Sequence, residues 1–88
     1  MAWVYILRTK ENKYYVGSTV NLEKRFTQHV QGHTHSTKRL GVESIVLSQQ
    51  YKTLKDARSV EHKIKRLKRK DYIEKIIQNG YIKLTPDP

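Results

Sequence analysis

Cysteine is absent from the 88 residues, which excludes a disulfide framework and a cysteine-ligated zinc, so a packed core has to hold the fold. Long apolar runs are missing as well. Nothing approaches the roughly 18 residues of a membrane span. The opening MAWVYILRTKEN has neither a basic n-region nor a small-residue cleavage site. A cytoplasmic protein with no membrane partner is expected. No Walker loop, dinucleotide glycine motif or nucleophile elbow occurs, so the machinery of nucleotide hydrolysis, hydride transfer and serine hydrolysis is missing and no small-molecule cofactor is expected. Acidic residues are scarce, with 8 Asp+Glu against 18 Lys+Arg and a net charge of +10. A chain of this length makes one small domain.

What is present is positive charge, and its placement is uneven. Lys24 to Val42 contains no carboxylate but holds Lys24, Arg25, Lys38, Arg39 and three histidines. His62 to Lys70 (HKIKRLKRK) carries six Lys/Arg and again no carboxylate. Basic surfaces gain affinity for phosphate chains by releasing counterions, so a nucleic-acid partner is expected, with salt-sensitive binding. Either run taken alone also reads as a solvated helix face.

Trp3–Thr9 is apolar on both alternating sets and reads as a strand covered on both faces; Tyr14–Ser18 is its hairpin partner. A three-residue turn, Lys10-Glu11-Asn12 with Asn12 left-handed, pairs Thr9 with Lys13, Leu7 with Tyr15 and Tyr5 with Gly17. Tyr5 and Tyr15 then share one sheet face. Asn21 caps a helix to about Gln31, with Leu22, Phe26 and Val30 as its buried stripe and Gly32 as its stop. Arg25 and His29 fall on another face of that helix. After a polar loop, Glu43–Gln50 is a third strand. Thr53-x-x-Asp56 caps a longer helix with Ala57, Val60, Ile64 and Leu67 inward, and Asp71-x-x-Glu74 caps a last one ending at Gly80. The class is α+β in the order ββαβαα. Residues 1–80 form the domain, and the tail, residues 81–88, is expected to be partly loose.

Among groups able to do chemistry, Glu61 stands at the edge of a buried helical stripe inside a cationic stretch. It needs a cation, a metal or a hydrogen-bond donor there, and an ion pair with a neighbouring lysine or arginine would satisfy it as well as a metal would. Tyr5, Tyr14 and Tyr15 crowd one hairpin, which suits packing as well as catalysis. Gly17 inside a strand marks a close approach by backbone or ligand, or a bulge. His29, His33 and His35 lack the further ligand that a zinc site requires.

Val4-Tyr5, then Tyr15-Val16-Gly17, then Arg25, His29 one helical turn on, and Glu61 on a later helix together resemble the GIY-YIG endonuclease pattern. The likeness runs from Trp3 to about Ile77. It is similar to the small stand-alone bacterial members, and through them to the amino-terminal nuclease domain found in the DNA-repair excinuclease ABC. Trp3 stands where the motif has its first glycine, and the stretch Tyr72-Ile73-Glu74-Lys75 lacks the asparagine often found on the family's last helix.

The resemblance implies a three-stranded antiparallel sheet flanked by helices and a metal-dependent DNA endonuclease. Tyr5, Tyr15, Arg25, His29 and Glu61 would be its catalytic residues. Glu61 would hold one Mg²⁺ or Mn²⁺, Arg25 would fork onto phosphate oxygens and Tyr15 would activate water, although a tyrosine's ordinary pKa of about 10 suits that role poorly at neutral pH. Tyr5 would position the water or the phosphate, and His29 would share the proton transfer. Gly17, Lys38, Arg39, Lys65, Arg66, Lys68 and Arg69 are the expected nucleic-acid contacts. Two other classes stay open: a non-catalytic basic DNA- or RNA-binding module, and a basic assembly protein. A carboxylate at Glu61 separates them from a nuclease, because it would repel a phosphate chain unless a metal intervened.

Overall fold

The fold begins with its tightest turn. In the computed structural model, which describes residues 1–30, 42–67 and 69–86, Asn12 has φ 62°, the left-handed conformation that asparagine tolerates better than most residues. The turn closes by Asn12 N–H donating to Thr9 C=O at 3.0 Å and Thr9 N–H to Lys13 C=O at 2.9 Å. Strands β1 (Ala2–Thr9) and β2 (Tyr14–Thr19) leave it antiparallel. Leu7 lies opposite Tyr15 and Tyr5 opposite Gly17, the pairing expected from a three-residue turn. Strand β3 (Val42–Tyr51) adds to the other side of β1, giving the order β2-β1-β3. A register shift after Ile6, which faces Leu47 while Leu7 faces Ile45, leaves Val46 as the extra residue of a bulge.

Three helices are described: α1 (Leu22–Val30), α2 (Leu54–Leu67) and α3 (Lys70–Asn79). The Asn21 side chain accepts from Lys24 N–H at 3.0 Å and caps α1; Thr53 Oγ1 accepts from Asp56 N–H at 3.1 Å and caps α2. Gly80 ends α3 at φ 80°, its N–H donating to Ile76 and Ile77 C=O. Alternation along the hairpin puts Val4, Ile6, Val16 and Ser18 on one face. There Val4, Ile6 and Val16 pack with Leu47 and with Ala57, Val60 and Ile64 of α2 into the core. Tyr5, Leu7, Tyr15 and Gly17 take the opposite face, the side to which α1 brings Arg25.

Three expectations are corrected. Leu67 is 41% exposed and does not extend the stripe of Ala57, Val60 and Ile64, because it is the last residue of α2 and overhangs the core. Asp71 caps nothing. Helix α3 starts at Lys70, and the Asp71 carboxylate is taken by Arg69, whose Nε and Nη2 donate to it at 3.2 and 2.8 Å. The tail is anchored at Ile82, which is 4% exposed and part of the core. Gln49 clamps it from β3: its Oε1 accepts from Ile82 N–H at 2.8 Å and its Nε2 donates to Ile82 C=O at 3.2 Å. Ile82→Ala is therefore expected to cost about 2–5 kcal/mol, the range for emptying a buried aliphatic site, read as a lowered denaturation midpoint at unchanged m-value. Among the described residues no helix is long and apolar enough to cross a membrane.

Candidate active site

Because β2 is an edge strand, groups from both faces of the sheet can meet around it. From the core face comes Glu61 of α2, its side chain 19% exposed. Its Oε1 accepts from Ser18 Oγ at 2.5 Å, and its Oε2 pairs with Lys65 Nζ at 2.6 Å, one turn further along α2. From the opposite face comes Tyr5, 2% exposed. Its ring reaches from the central strand over Gly17: a Cβ placed on Gly17 would collide with Tyr5 Oη and lie 2.5 Å from Cζ. The missing side chain at Gly17 is what lets the hydroxyl reach β2. Register is unbroken there, so Gly17 is not a bulge.

The Tyr5 hydroxyl is the electrical centre of the group. Burial pushes its pKa above the ordinary 10.0, opposed by the Arg25 guanidinium, which hydrogen-bonds it, and reinforced by Tyr15 and Glu61. Tyr5 is thus a neutral O–H at neutral pH, able to accept from Arg25 and still donate. A folded-state pKa raised in this way favours the fold fully below pH 10 and stops doing so as pH climbs through the raised value. The same hydrogen bond holds Arg25 charged. Arg25 Nη1 donates to Gln28 at a long 3.4 Å, while its Nε, shut off from water, has no partner among the described residues. Tyr15 stands half-buried on β2 with Lys65 Nζ 5.7 Å from its ring centroid.

Tyr5, Tyr15, Arg25 and Glu61, brought by β1, β2, α1 and α2, therefore form one electrostatic group. His29 is on α1, with its side chain outside the described residues. Of the expected nucleic-acid contacts, Lys65 is half-exposed and paired with Glu61, Arg66 is exposed, and Arg69 is exposed and paired with Asp71. Lys38, Arg39 and Lys68, like His33 and His35, lie outside the described residues. Gly17 is buried, and the Tyr5 ring lies close against it. Ser18 was missed by sequence reasoning. The signal for it was the hairpin register, which sets it opposite Val4 on the face that α2 covers.

A family model described as the GIY-YIG catalytic domain matches residues 1–76. The chain belongs to the GIY-YIG family. Membership gives a nuclease-type function, and the four converging side chains are those of the GIY-YIG pattern read from the sequence. The chain is 35% identical over 77 residues to a UPF0213 protein of Clostridium perfringens, a match covering 86% of this chain and 83% of that one. The solution NMR structure of a UPF0213 protein from Bacillus halodurans superposes with a TM-score of 0.56 at 24% identity, over 91% of this chain and 87% of that one. This likeness is one of fold, and it bears out the expected α+β class, a three-stranded antiparallel sheet flanked by helices.

Proposed function

We infer that the protein is a metal-dependent endonuclease that hydrolyses DNA phosphodiester bonds at the β2 edge. The observation that carries this reading is the meeting of groups from both sheet faces at β2: Glu61 on Ser18, Lys65 between Glu61 and the Tyr15 ring, and Tyr5 against Gly17 with Arg25 hydrogen-bonded to it. Phosphodiester hydrolysis needs an activated water, charge neutralisation at phosphorus and help for the leaving oxygen, and these residue types can supply each.

A divalent ion fits the donor set. No cluster of three or more metal-ligating side chains occurs among the described residues, which excludes an all-protein cage there but suits a hard ion held by one or two carboxylates with water and phosphate oxygens completing its shell. Glu61 would hold it, next to the Ser18 hydroxyl, and the Lys65 ammonium at Oε2 marks a place where positive charge is already accommodated. Bound Mg²⁺ or Mn²⁺ would supply charge neutralisation at the phosphate. The protein's own groups do the rest. Arg25 donates to phosphate oxygens and stays charged throughout. Tyr5 positions the phosphate or water through its retained proton. Tyr15, which shares the sheet face of Tyr5 and has Lys65 Nζ 5.7 Å from its ring, orients the attacking water and in its phenolate form takes that water's proton; His29 is the second candidate for that proton.

The test is incubation of labelled single-stranded, duplex and branched DNA with and without Mg²⁺ or Mn²⁺. Metal-dependent cleavage of at least one substrate is expected, and Tyr15→Phe, which keeps the ring, should abolish it while sparing DNA binding. Binding without cleavage under every metal condition would overturn the enzyme reading.

A further inference from the structure

A cleft of about 440 Å³ opens between β2, the end of α2 and the start of α3, beside the cleavage site. Its floor is apolar, from buried Val16 and Ile64, and the half-buried Tyr14 and Tyr15 line it as well. Lys65 and Lys70 stand exposed at its rim, and no carboxylate lines it among the described residues. Each ring carries an ammonium over it: Lys65 Nζ lies 5.7 Å from the Tyr15 centroid and Lys70 Nζ 5.9 Å from that of Tyr14.

An apolar floor, an aromatic lining and a purely cationic rim call for a ligand with a flat apolar part and a negative charge on a short tether. A nucleotide has both. Its base gains from stacking on tyrosine and its phosphate from the ammoniums. The volume lies within the roughly 300–1,000 Å³ of small-ligand sites, which suits one nucleotide. A base still paired would have to bring its partner in with it. Lys65 belongs to both places, since its Nζ is 2.6 Å from Glu61 Oε2, so the cleft starts where the cleavage site ends.

We propose that this cleft holds one nucleotide of the strand being cut, adjacent to the scissile phosphate, with its base unpaired against Tyr14, Tyr15 and the apolar floor and its phosphate at Lys65 and Lys70. The inference rests on the nuclease reading for the identity of the polymer and for the neighbouring scissile phosphate; the cleft's own affinity for a nucleotide stands apart from catalysis.

The experiment is titration of ¹⁵N-labelled protein with thymidine 5′-monophosphate in the absence of divalent metal, followed by amide chemical shifts. The amides of Tyr14, Tyr15, Lys65 and Lys70 should move together and saturate, while thymidine or inorganic phosphate at the same concentration moves them far less. Lys70→Glu and Lys70→Ala should each weaken the response at least fivefold. Lys10→Glu, an equal charge change in the exposed turn, should alter it less than twofold. Glu61→Gln should leave it equal or tighter. A response confined to Arg25 and Glu61, an equal response to inorganic phosphate, or no response overturns the cleft assignment, even in a protein that cleaves. Nucleotide binding in the cleft of a protein that never cleaves overturns the nuclease reading instead.

Discussion

Glu61→Gln is expected to abolish metal-dependent cleavage while leaving metal-free DNA binding equal or tighter. Glutamine keeps the length of the side chain, and its carbonyl oxygen can still accept from Ser18. What it loses is the charge that would anchor a divalent ion. Lys65, no longer held at 2.6 Å, becomes free to pair with phosphate, which is why binding does not weaken. The stability change should be small, at most about 1 kcal/mol, because Lys65 is 48% exposed and the pair is partly screened by water. An ordinary helical surface would also contain an ion pair like that of Glu61 and Lys65, and the cleavage assay separates the two readings. A variant shown by circular dichroism to be folded, yet still cutting with Mg²⁺ or Mn²⁺, would remove Glu61 as the metal ligand.

Gly17→Ala should damage both stability and catalysis, and for one reason. The added Cβ would collide with Tyr5 Oη and meet Cζ at 2.5 Å and Cε2 at 3.0 Å. Tyr5 is 2% exposed and has no open space to swing into. Either its ring or β2 has to shift. Overpacking of this kind costs about 1–3 kcal/mol, and a displacement near 1 Å in a catalytic group can cost about 10²-fold in rate. Tyr5→Phe in the same chain should not restore it, since Cζ still stands in the way. Thermal denaturation and single-turnover cleavage read the two effects separately. An alanine variant that matches the parent in both would mean that Tyr5 does not cross the strand at this point.

Much of this was legible where local chemistry decides the outcome. Asn12 in a three-residue turn sets the hairpin register, Asn21 and Thr53 start their helices, and Gly80 stops the last one. Asp71 shows the limit. An acidic residue at a cap-like spacing cannot be told from one half of an ion pair, and Arg69 two residues earlier decided the matter. The Gln49 clamp on Ile82 joins positions 33 residues apart and leaves no local trace. At the site, the spacing of Tyr5, Tyr15, Arg25 and Glu61 was visible in the chain. Their convergence depends on β2 being an edge strand, which follows from where β3 docks and not from the hairpin itself.

The Glu61 carboxylate is already compensated by this protein's own atoms, a hydroxyl on one oxygen and an ammonium on the other. On the nuclease reading, folding would therefore not wait for a metal. In small domains built around a structural zinc the apo chain is unfolded and metal binding is folding; here the one carboxylate that would hold an ion has protein partners without it. Chelation would then silence such a nuclease reversibly rather than denature it.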